Sequence, residues 1–337
     1  MSAYIKALDF YLPEKILTNE EIVKEFPEWS VDKIAKKVGV TCRHIAADNE
    51  TALDMAVKAA NNLFANHEDL KSKIDFIIFC TQSPDYKLPT SACIIQERLG
   101  LSTSIGAFDY NLGCSGYIYG LAIAKGFIAS NIAKNVLLLT AETYSKYLHE
   151  KDKGNKTIFG DAATATVIST GGFCKIGEFS LGTDGRGANN LMVRSGMSRV
   201  PTAVHDLKFD DSGNPMSSDH LYMNGAEIFS FTQHNVPIVV NDALSKNALT
   251  KDDIDLFIFH QANSYMLNFL RKKLKIDEEH FLIDMADVGN TVSSSVPLAL
   301  KRSLINNKIK IHDKVLLCGF GVGYSWGSTV LSFNNFL

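Results

Sequence analysis

The sequence repeats a set of apolar runs at a nearly constant spacing. Residues 74–80 (IDFIIFC) match residues 254–260 (IDLFIFH), which begin 180 positions later. Residues 135–139 (NVLLL) match 314–318 (KVLLC) with a spacing of 179, and Leu121 lies 177 residues before Leu298 in a similar context. Three matches in the same order indicate an internal duplication. We therefore predict two similar halves, each of which buries a central helix.

Between these matches, short β-rich runs alternate with helical patterns, which is typical of an α/β protein with a largely parallel sheet. The boundaries that we predict are an N-terminal half over residues 1–175 and a C-terminal half over 226–337. Residues 183–224 lie between them and are rich in Gly, Ser, Asn and Asp. Long irregular segments of this kind tend to form functional rims.

The charge balance narrows the range of partners. The chain of 337 residues has 34 Lys and Arg against 37 Asp and Glu, a net charge of -3. No basic excess is available to neutralise phosphates, so we expect no nucleic-acid partner. Residues 315–337 carry no charge and are long enough to cross a bilayer, but their glycines favour two buried strands joined by a turn. We therefore expect no membrane span.

The cysteines indicate a reducing compartment rather than a metal site. Six of them are scattered along the chain without a Cys-x-x-Cys pair, and no His cluster has zinc spacing. The N-terminus also lacks the apolar stretch of a secretory signal. We expect a cytoplasmic protein without a bound metal.

Cys114 has a different context from the other five cysteines. It lies in residues 111–116 (NLGCSG), a turn from a predicted strand into a helix that is apolar on nearly all sides. The positive end of a helix dipole and free backbone N–H groups would favour a thiolate there. A buried structural cysteine is an equally good interpretation of this turn alone.

Two further residues follow strands at positions that the duplication relates to this turn. His260 ends an apolar strand, where parallel sheets present functional groups. Asn290 precedes the second buried helix, although an Asn there can also be a simple helix cap. Because Leu121 matches Leu298, the duplication would bring the Asn290 loop and the Cys114 turn towards one centre.

A thiolate, an imidazole and a carboxamide at one centre are suited to thioester chemistry. The thiolate can accept an acyl group while backbone N–H groups hold the developing oxyanion. The glycines of residues 319–323 (GFGVG) would let the backbone approach a ligand closely, or form a turn between strands.

At Cys114 and residues 260–263 (HQAN), 289–291 (GNT) and 319–327 (GFGVGYSWG), the sequence resembles the β-ketoacyl-acyl carrier protein synthase III family of the thiolase-like superfamily. The similarity extends from about Tyr4 to Phe333. It also includes residues 28–29 (EW), 39–45 (GVTCRHI), 159–161 (FGD) and 223–229 (MNGAEIF).

This resemblance implies duplicated βαβαβαββ halves in a five-layer αβαβα sandwich, assembled as a homodimer. It implies that Cys114 takes an acyl group from acyl-CoA, which then condenses with malonyl-acyl carrier protein, as in fatty acid biosynthesis. His260 and Asn290 would assist the decarboxylation, and the N–H groups of Cys114 and Val322 would form the oxyanion hole. No cofactor is expected. The matching positions that line the coenzyme A channel are Trp29, Gly225, Phe229 and Asn263.

Several positions depart from the usual family pattern. Val322 replaces a common glycine but keeps its N–H group, and Tyr265 stands in place of an arginine implicated in carrier-protein docking. Lys37 and Lys146 occupy two other arginine positions and are expected to contact coenzyme A, although lysine does not reproduce a bidentate guanidinium. Leu88 occupies an acyl-tunnel position that is often Phe. These departures are compatible with a paralogue that uses its own acyl donor or carrier.

Other functions remain open at this point. The same fold could move an acyl group from Cys114 to an oxygen or nitrogen acceptor in secondary metabolism, without decarboxylation. A papain-like cysteine hydrolase has the same Cys, His, Asn order, but its usual Cys-Gly-Ser-Cys-Trp context is missing. A non-catalytic scaffold subunit would be expected to lose at least one of the three residues.

Overall fold

The computed structural model of the protein describes residues 2–211 and 213–334. The strands are β1 (Tyr4–Tyr11), β2 (Lys15–Thr18), β3 (Cys42–Ile45), β4 (Phe76–Cys80), β5 (Gly106–Tyr110), β6 (Asn135–Glu142), β7 (Ala162–Ser169), β8 (Cys174–Thr183), β9 (Leu191–Met192), β10 (Lys208–Phe209), β11 (Pro215–Met216), β12 (Tyr222–Met223), β13 (Leu256–Phe259), β14 (Phe281–Leu282), β15 (Lys314–Gly321) and β16 (Ser325–Phe333). The helices are α1 (Asn19–Glu25), α2 (Val31–Val38), α3 (Ala52–Asn66), α4 (Glu68–Lys71), α5 (Ser91–Arg98), α6 (Gly116–Ala129), α7 (Lys153–Lys156), α8 (Gly225–Lys246), α9 (Ser264–Leu274) and α10 (Ser295–Ile305).

Ten strands form one sheet whose two halves have the same design. The strand order β5-β4-β6-β7-β1 continues directly into β8-β16-β15-β13-β14. In the first half, β4 is parallel to both β5 and β6, and β7 is antiparallel to β6 and β1. In the second half, β13 is parallel to β14 and β15, and β16 is antiparallel to β15 and β8. This repeated order is the structural counterpart of the duplicated sequence.

The helices complete five layers around the two half-sheets. Helix α6 packs against β4, β6 and β7 of the first half and against β8, β15 and β16 of the second, so it lies between them with α10. Helices α3 and α5 cover the outer face of the first half-sheet, and α8 covers that of the second. A helix enclosed by two sheets needs apolar residues on all sides, as the sequence of α6 provides. These layers agree with the five-layer αβαβα sandwich of duplicated halves that the resemblance implies.

The two half-sheets meet at a short seam between β1 and β8. Only Tyr4 with Lys175 and Ile5 with Cys174 pair across it. Strand β8 therefore belongs to the second half-sheet although it precedes residue 226, where we predict the C-terminal half to begin. The loop-rich residues 183–224 connect β8 to α8 and contain the short strands β9 to β12.

The uncharged C-terminal stretch forms strands, as its glycines predict. Strands β15 and β16 pair antiparallel from Lys314 with Ser332 to Gly321 with Ser325, and residues 335–337 lie outside the described part of the chain. Within the described residues, no helix has both the length and the apolar character to span a membrane.

Two glycines of α6 should respond in opposite directions to alanine. A Cβ at Gly120 would collide with the Tyr110 hydroxyl and lie 2.6 Å from a methyl of Leu138, whereas a Cβ at Gly126 would enter open space. We expect Gly120→Ala to lower the free energy of unfolding by roughly 1–3 kcal/mol through overpacking. Gly126→Ala should raise it by roughly 0.5–1 kcal/mol, because glycine is a poor helix former. Urea denaturation measures both, and equal shifts would contradict the packing argument.

Candidate active site

Cys114 lies in the tight turn that joins β5 to α6. The turn is closed by the Gly116 N–H, which donates to the Gly113 carbonyl at 2.7 Å. The thiol is buried, with 6% of the residue exposed. The buried residues that cluster around it are Tyr144, Phe159, Leu191, Leu221 and Val292. The nucleophile candidate therefore faces a mainly apolar environment.

The end of β15 lies directly against this turn because Gly319 and Gly321, which face Cys114, have no side chains. A Cβ added at Gly319 would lie 2.7 Å from the Cys114 carbonyl oxygen. A Cβ added at Gly321 would lie 2.9 Å from both Cβ and Sγ of Cys114. These glycines thus allow the strand to reach the nucleophile, and the next residue, Val322, brings its N–H group to the thiol.

The thiol of Cys114 is protonated in the resting protein. Burial, followed by the nearby Glu142 carboxyl, raises its pKa to about 12. Hydrogen bonds from the backbone N–H groups of Cys114 and Val322 act in the opposite direction but are outweighed. The expectation of a stabilised thiolate is therefore wrong for this state, because desolvation of the anion exceeds the favourable effect of the helix terminus.

His260 and Asn290 form a second buried group. Nδ1 of His260 lies 2.7 Å from Oγ of Ser295, and its Nε2 lies 3.5 Å from Nδ2 of Asn290. The Asn290 carboxamide is oriented by its Oδ1, which accepts from the Val292 N–H at 2.9 Å. Burial lowers the pKa of His260 to about 3, so the imidazole is neutral at physiological pH.

Strand β15 also connects the two groups. The His260 N–H donates to the Cys318 carbonyl at 2.7 Å, and the Phe320 ring stands nearly perpendicular to the imidazole at 5.5 Å. From the same strand, Gly319 and Gly321 contact Cys114 as described above. All three candidate catalytic residues therefore lie at one end of the paired half-sheets.

Aromatic and basic side chains surround a region formed by α2, α8 and α9. The ammonium groups of Lys33 and Lys37 lie 4.8 and 5.9 Å from the centre of the Trp29 ring. The ring of Phe229, the fifth residue of α8, lies 5.7 Å from the Tyr265 ring, measured between the ring centres.

The N-termini of α8 and α9 hold the remaining channel candidates. Asn263 caps α9 by accepting from the Met266 N–H at 2.8 Å. Gly225 opens α8, and nothing lies within 4 Å of the position that its Cβ would occupy. Helices α2 and α9 touch where Gly39 meets Ser264, so Trp29 and Asn263 belong to neighbouring elements.

Two predicted site residues lie apart from these groups. The Lys146 ammonium donates to the carbonyls of Asp48 at 2.9 Å and Glu50 at 2.6 Å, so it holds a loop of the first half. Leu88 is 82% exposed and is not among the buried residues that cluster around Cys114. Lys153, which no sequence motif marks, forms an ion pair with Glu28, the residue before Trp29, at 3.0 Å.

A cavity of about 540 Å³ opens beside Val322 and Gly323. Tyr144 narrows it, and its hydroxyl donates to Oε1 of Gln82 at 2.5 Å. The other lining residues include Asn111, Tyr147, Leu191, Met192, Val193 and Leu221. Among the described residues, no group of three His, Cys, Asp or Glu side chains is arranged to hold a metal ion.

Comparisons with known proteins agree with this geometry. Residues 108–185 match the sequence model of 3-oxoacyl-[acyl-carrier-protein] synthase III, and residues 244–333 match that of its C-terminal part. The β-ketoacyl-[acyl-carrier-protein] synthase III of Caldanaerobacter subterraneus subsp. tengcongensis is 34% identical over 339 residues, covering 99% of this chain and 98% of the relative. The chain belongs to the β-ketoacyl-acyl carrier protein synthase III family.

Crystal structures of β-ketoacyl-acyl carrier protein synthase III proteins superimpose closely on this one. A 3-oxoacyl-(acyl-carrier-protein) synthase III is 46% identical with a TM-score of 0.96, covering 99% of this chain and 100% of the other. The 3-oxoacyl-(acyl carrier protein) synthase of Burkholderia xenovorans is 35% identical with a TM-score of 0.91, covering 100% and 95%. The resemblance stated from the sequence is confirmed.

Two buried residues of this synthase III site were not singled out from the sequence. Ser295 contacts His260 but lies 35 residues further along the chain, and one serine among many gives no signal. Glu142 gives a weak sequence signal, because it is a charged residue at the end of the apolar strand β6.

The contact between β15 and Cys114 leads to a mutational prediction. Gly321→Ala would push the strand away from the thiol and misplace the Val322 N–H, so we expect transfer of an acyl group from acyl-CoA to Cys114 to slow about 100-fold or more. Gly185→Ala, where a Cβ meets no atom within 4 Å, is the matched control. Stopped reactions analysed by intact mass give the rate, and an unchanged rate in Gly321→Ala would contradict the packing argument.

The raised pKa of Cys114 predicts a pH dependence. A carboxamidomethylating reagent reacts with the thiolate, whose fraction should rise about tenfold per pH unit from pH 7 to 10, because the pKa lies near 12. Mass spectrometry of a Cys42→Ser, Cys93→Ser protein, which lacks the two cysteines that are not buried, follows the reaction. A plateau below pH 9 would show that the thiol is more acidic than its burial implies.

Proposed function

We propose that the protein catalyses the decarboxylating condensation of an acyl-CoA with malonyl-acyl carrier protein, through an acyl group held on Cys114. The observation that carries the proposal is the thiol placed against two backbone N–H groups, its own and that of Val322. Val322 directly follows β15, the strand whose Cys318 carbonyl accepts from the His260 N–H. Relatives across nearly the whole chain are named β-ketoacyl-[acyl-carrier-protein] synthase III.

In the first step the Cys114 sulfur attacks the thioester carbonyl of acyl-CoA. The carbonyl oxygen becomes an oxyanion that accepts hydrogen bonds from the N–H groups of Cys114 and Val322, each worth about 3–4 kcal/mol in comparable sites. Collapse of the intermediate breaks the bond to the coenzyme A sulfur, which leaves with the proton. Because the thiol is protonated at rest, neutral His260 is the group suited to receive that proton in transit.

In the second step the malonyl thioester loses carbon dioxide. The electron pair of the broken carbon–carbon bond moves onto the thioester as an enolate, whose oxygen would accept from Nδ2 of Asn290 and from His260. The enolate carbon then attacks the acyl carbonyl on Cys114, and the bond to the Cys114 sulfur breaks as the 3-oxoacyl product forms. The leaving thiolate takes up a proton from water, which restores the resting thiol. A neutral buried site favours this chemistry, since the developing charge meets preorganised dipoles rather than water.

The hydroxyl of Ser295 lets His260 serve both steps. It donates to the Val292 carbonyl at 2.9 Å, and in that orientation it accepts from Nδ1–H and leaves Nε2 as an acceptor. When the hydroxyl rotates to donate to Nδ1, the other tautomer presents Nε2–H as a donor. The first form suits proton uptake from Cys114, and the second suits enolate stabilisation.

The basic and aromatic surface suits the two substrates that we propose. Trp29 with Lys33 and Lys37 could stack on an adenine and attract phosphates, and Phe229 and Asn263 would line the pantetheine arm. No metal or redox cofactor enters the proposed steps.

We also propose a cytoplasmic homodimer. Tyr86 is 60% exposed and lines the cavity beside Val322, while the neighbouring Leu88 is 82% exposed. A second copy covering this loop would bury both side chains and close the cavity. The predicted role of Leu88 as an acyl-pocket residue would then be exercised across the interface.

The division of the chain into halves at residues 175 and 226 stays a prediction.

One experiment separates this function from acyl transfer without decarboxylation. The protein is incubated with a panel of acyl-CoAs, then with radiolabelled malonyl-acyl carrier protein, and both the adduct mass and released carbon dioxide are measured. We expect an adduct on Cys114 and carbon dioxide release that requires it, with both lost in Cys114→Ala and kept in Cys93→Ala. Adduct formation followed by transfer to an amine or alcohol, with no carbon dioxide, would support the other activity.

A further inference from the structure

Glu142 is a buried carboxyl that takes no part in the steps above. It ends β6, is 0% exposed, and binds two segments that are far apart in the sequence. From the loop after β4, the Gln82 N–H donates to Oε2 at 3.0 Å and the Ser83 hydroxyl at 3.1 Å. From the segment before α10, the Ser293 hydroxyl donates to Oε1 at 2.9 Å.

All of these donors are neutral groups. Within the described part of the chain, no Lys, Arg or His forms an ion pair with Glu142. Burial raises its pKa to about 8, while hydrogen bonds from Gln82, Ser293 and Ser83 lower it. A buried carboxyl oxygen that loses its hydrogen-bond donor costs more folding free energy than an exposed one, because no water replaces the donor. The positions of the three donors are therefore strongly constrained.

Ser293 is the first of three buried serines that fix the chain just after Asn290. The Ser293 hydroxyl goes to Glu142, that of Ser294 lies 2.9 Å from the Thr140 hydroxyl, and that of Ser295 binds His260. Two of the three therefore tie the Asn290 segment to β6 of the first half, and the third ties it to the imidazole.

The same end of β6 lies beside the nucleophile. The Glu142 carboxyl is close enough to raise the pKa of Cys114, and Ser293 lies close to Gly116, which begins α6. A Cβ built on Gly116 would be 3.6 Å from that of Ser293. The bond between Glu142 and Ser293 thus joins the two halves beside Gly116, which is two residues after Cys114.

We propose that Glu142 and Ser293 form a positioning pair that sets the separation between Cys114 and the His260–Asn290 group. The proposal rests on the condensation reaction proposed above. Acylation needs Cys114, the nearby N–H groups and, from His260, only the passage of one proton. Decarboxylation and carbon–carbon bond formation need His260 and Asn290 held together in register with Cys114. Loss of the pair should therefore impair the second step far more than the first.

The test compares Ser293→Ala with Ser303→Ala. Ser303 is a buried serine of α10 whose hydroxyl has no hydrogen-bond partner among the described residues. For Ser293→Ala, we expect acylation from acyl-CoA within about twofold of wild type. Carbon dioxide release from malonyl-acyl carrier protein should fall roughly tenfold or more in kcat, with little change in KM, because a small displacement of reacting groups is costly. Ser303→Ala should leave both steps unchanged.

A double-mutant cycle shows whether the effect passes through Glu142. Glu142→Leu and Ser293→Ala should each slow condensation, and the double variant should be no slower than the worse single one, because the Ser293 hydroxyl has lost its acceptor once Glu142 is replaced. Additive losses, equal losses in both steps, or normal condensation in Ser293→Ala would each overturn the positioning role. A wild-type protein that is acylated but releases no carbon dioxide would refute the proposed function instead.

Discussion

The site depends on the contact between the end of β15 and the turn that carries Cys114. Gly319 and Gly321 have no side chains, so the strand reaches the backbone and the thiol of Cys114. The same strand binds the His260 N–H through the Cys318 carbonyl, so one segment sets the position of both chemical groups. Packing in the interior is tight, and a single methyl group at this contact has nowhere to go. The positions of Cys114 and His260 are thus set by how the backbone packs at this contact.

Burial also determines the resting charge state of this site. The pKa of Cys114 is raised and that of His260 is lowered, both chiefly by desolvation, so neither side chain is charged before substrate binds. Charge then appears only on the substrate, first on the thioester oxygen and later on the enolate. The N–H groups of Cys114 and Val322 lie beside the thiol, so in the proposed first step the oxyanion would form next to fixed donors.

The sequence was informative about the fold because duplication leaves a readable pattern. Spacings of 177 to 180 residues predict that β4 and β13 are equivalent, and the strand order agrees. Strand β8 could not be assigned to the second half, since one alternating strand carries no information about its neighbours. At the site, Cys114, His260 and Asn290 follow apolar strands or precede buried helices, which made them visible. The protonated thiol was not foreseeable, because helix-terminus effects can be read from a sequence and the depth of burial cannot.

The shared strand order of the two half-sheets has a bearing on ancestry. Cys80 and His260 occupy equivalent positions, yet only His260, from the second half, contributes a side chain at the reacting centre. Cys114, by contrast, comes from the first half. A single half therefore lacks a complete set, and an ancestor of that size could have built such a centre only by associating with another copy of itself. Gene fusion would then have freed the two copies to diverge, one towards the nucleophile and the other towards the residues that act on the second substrate.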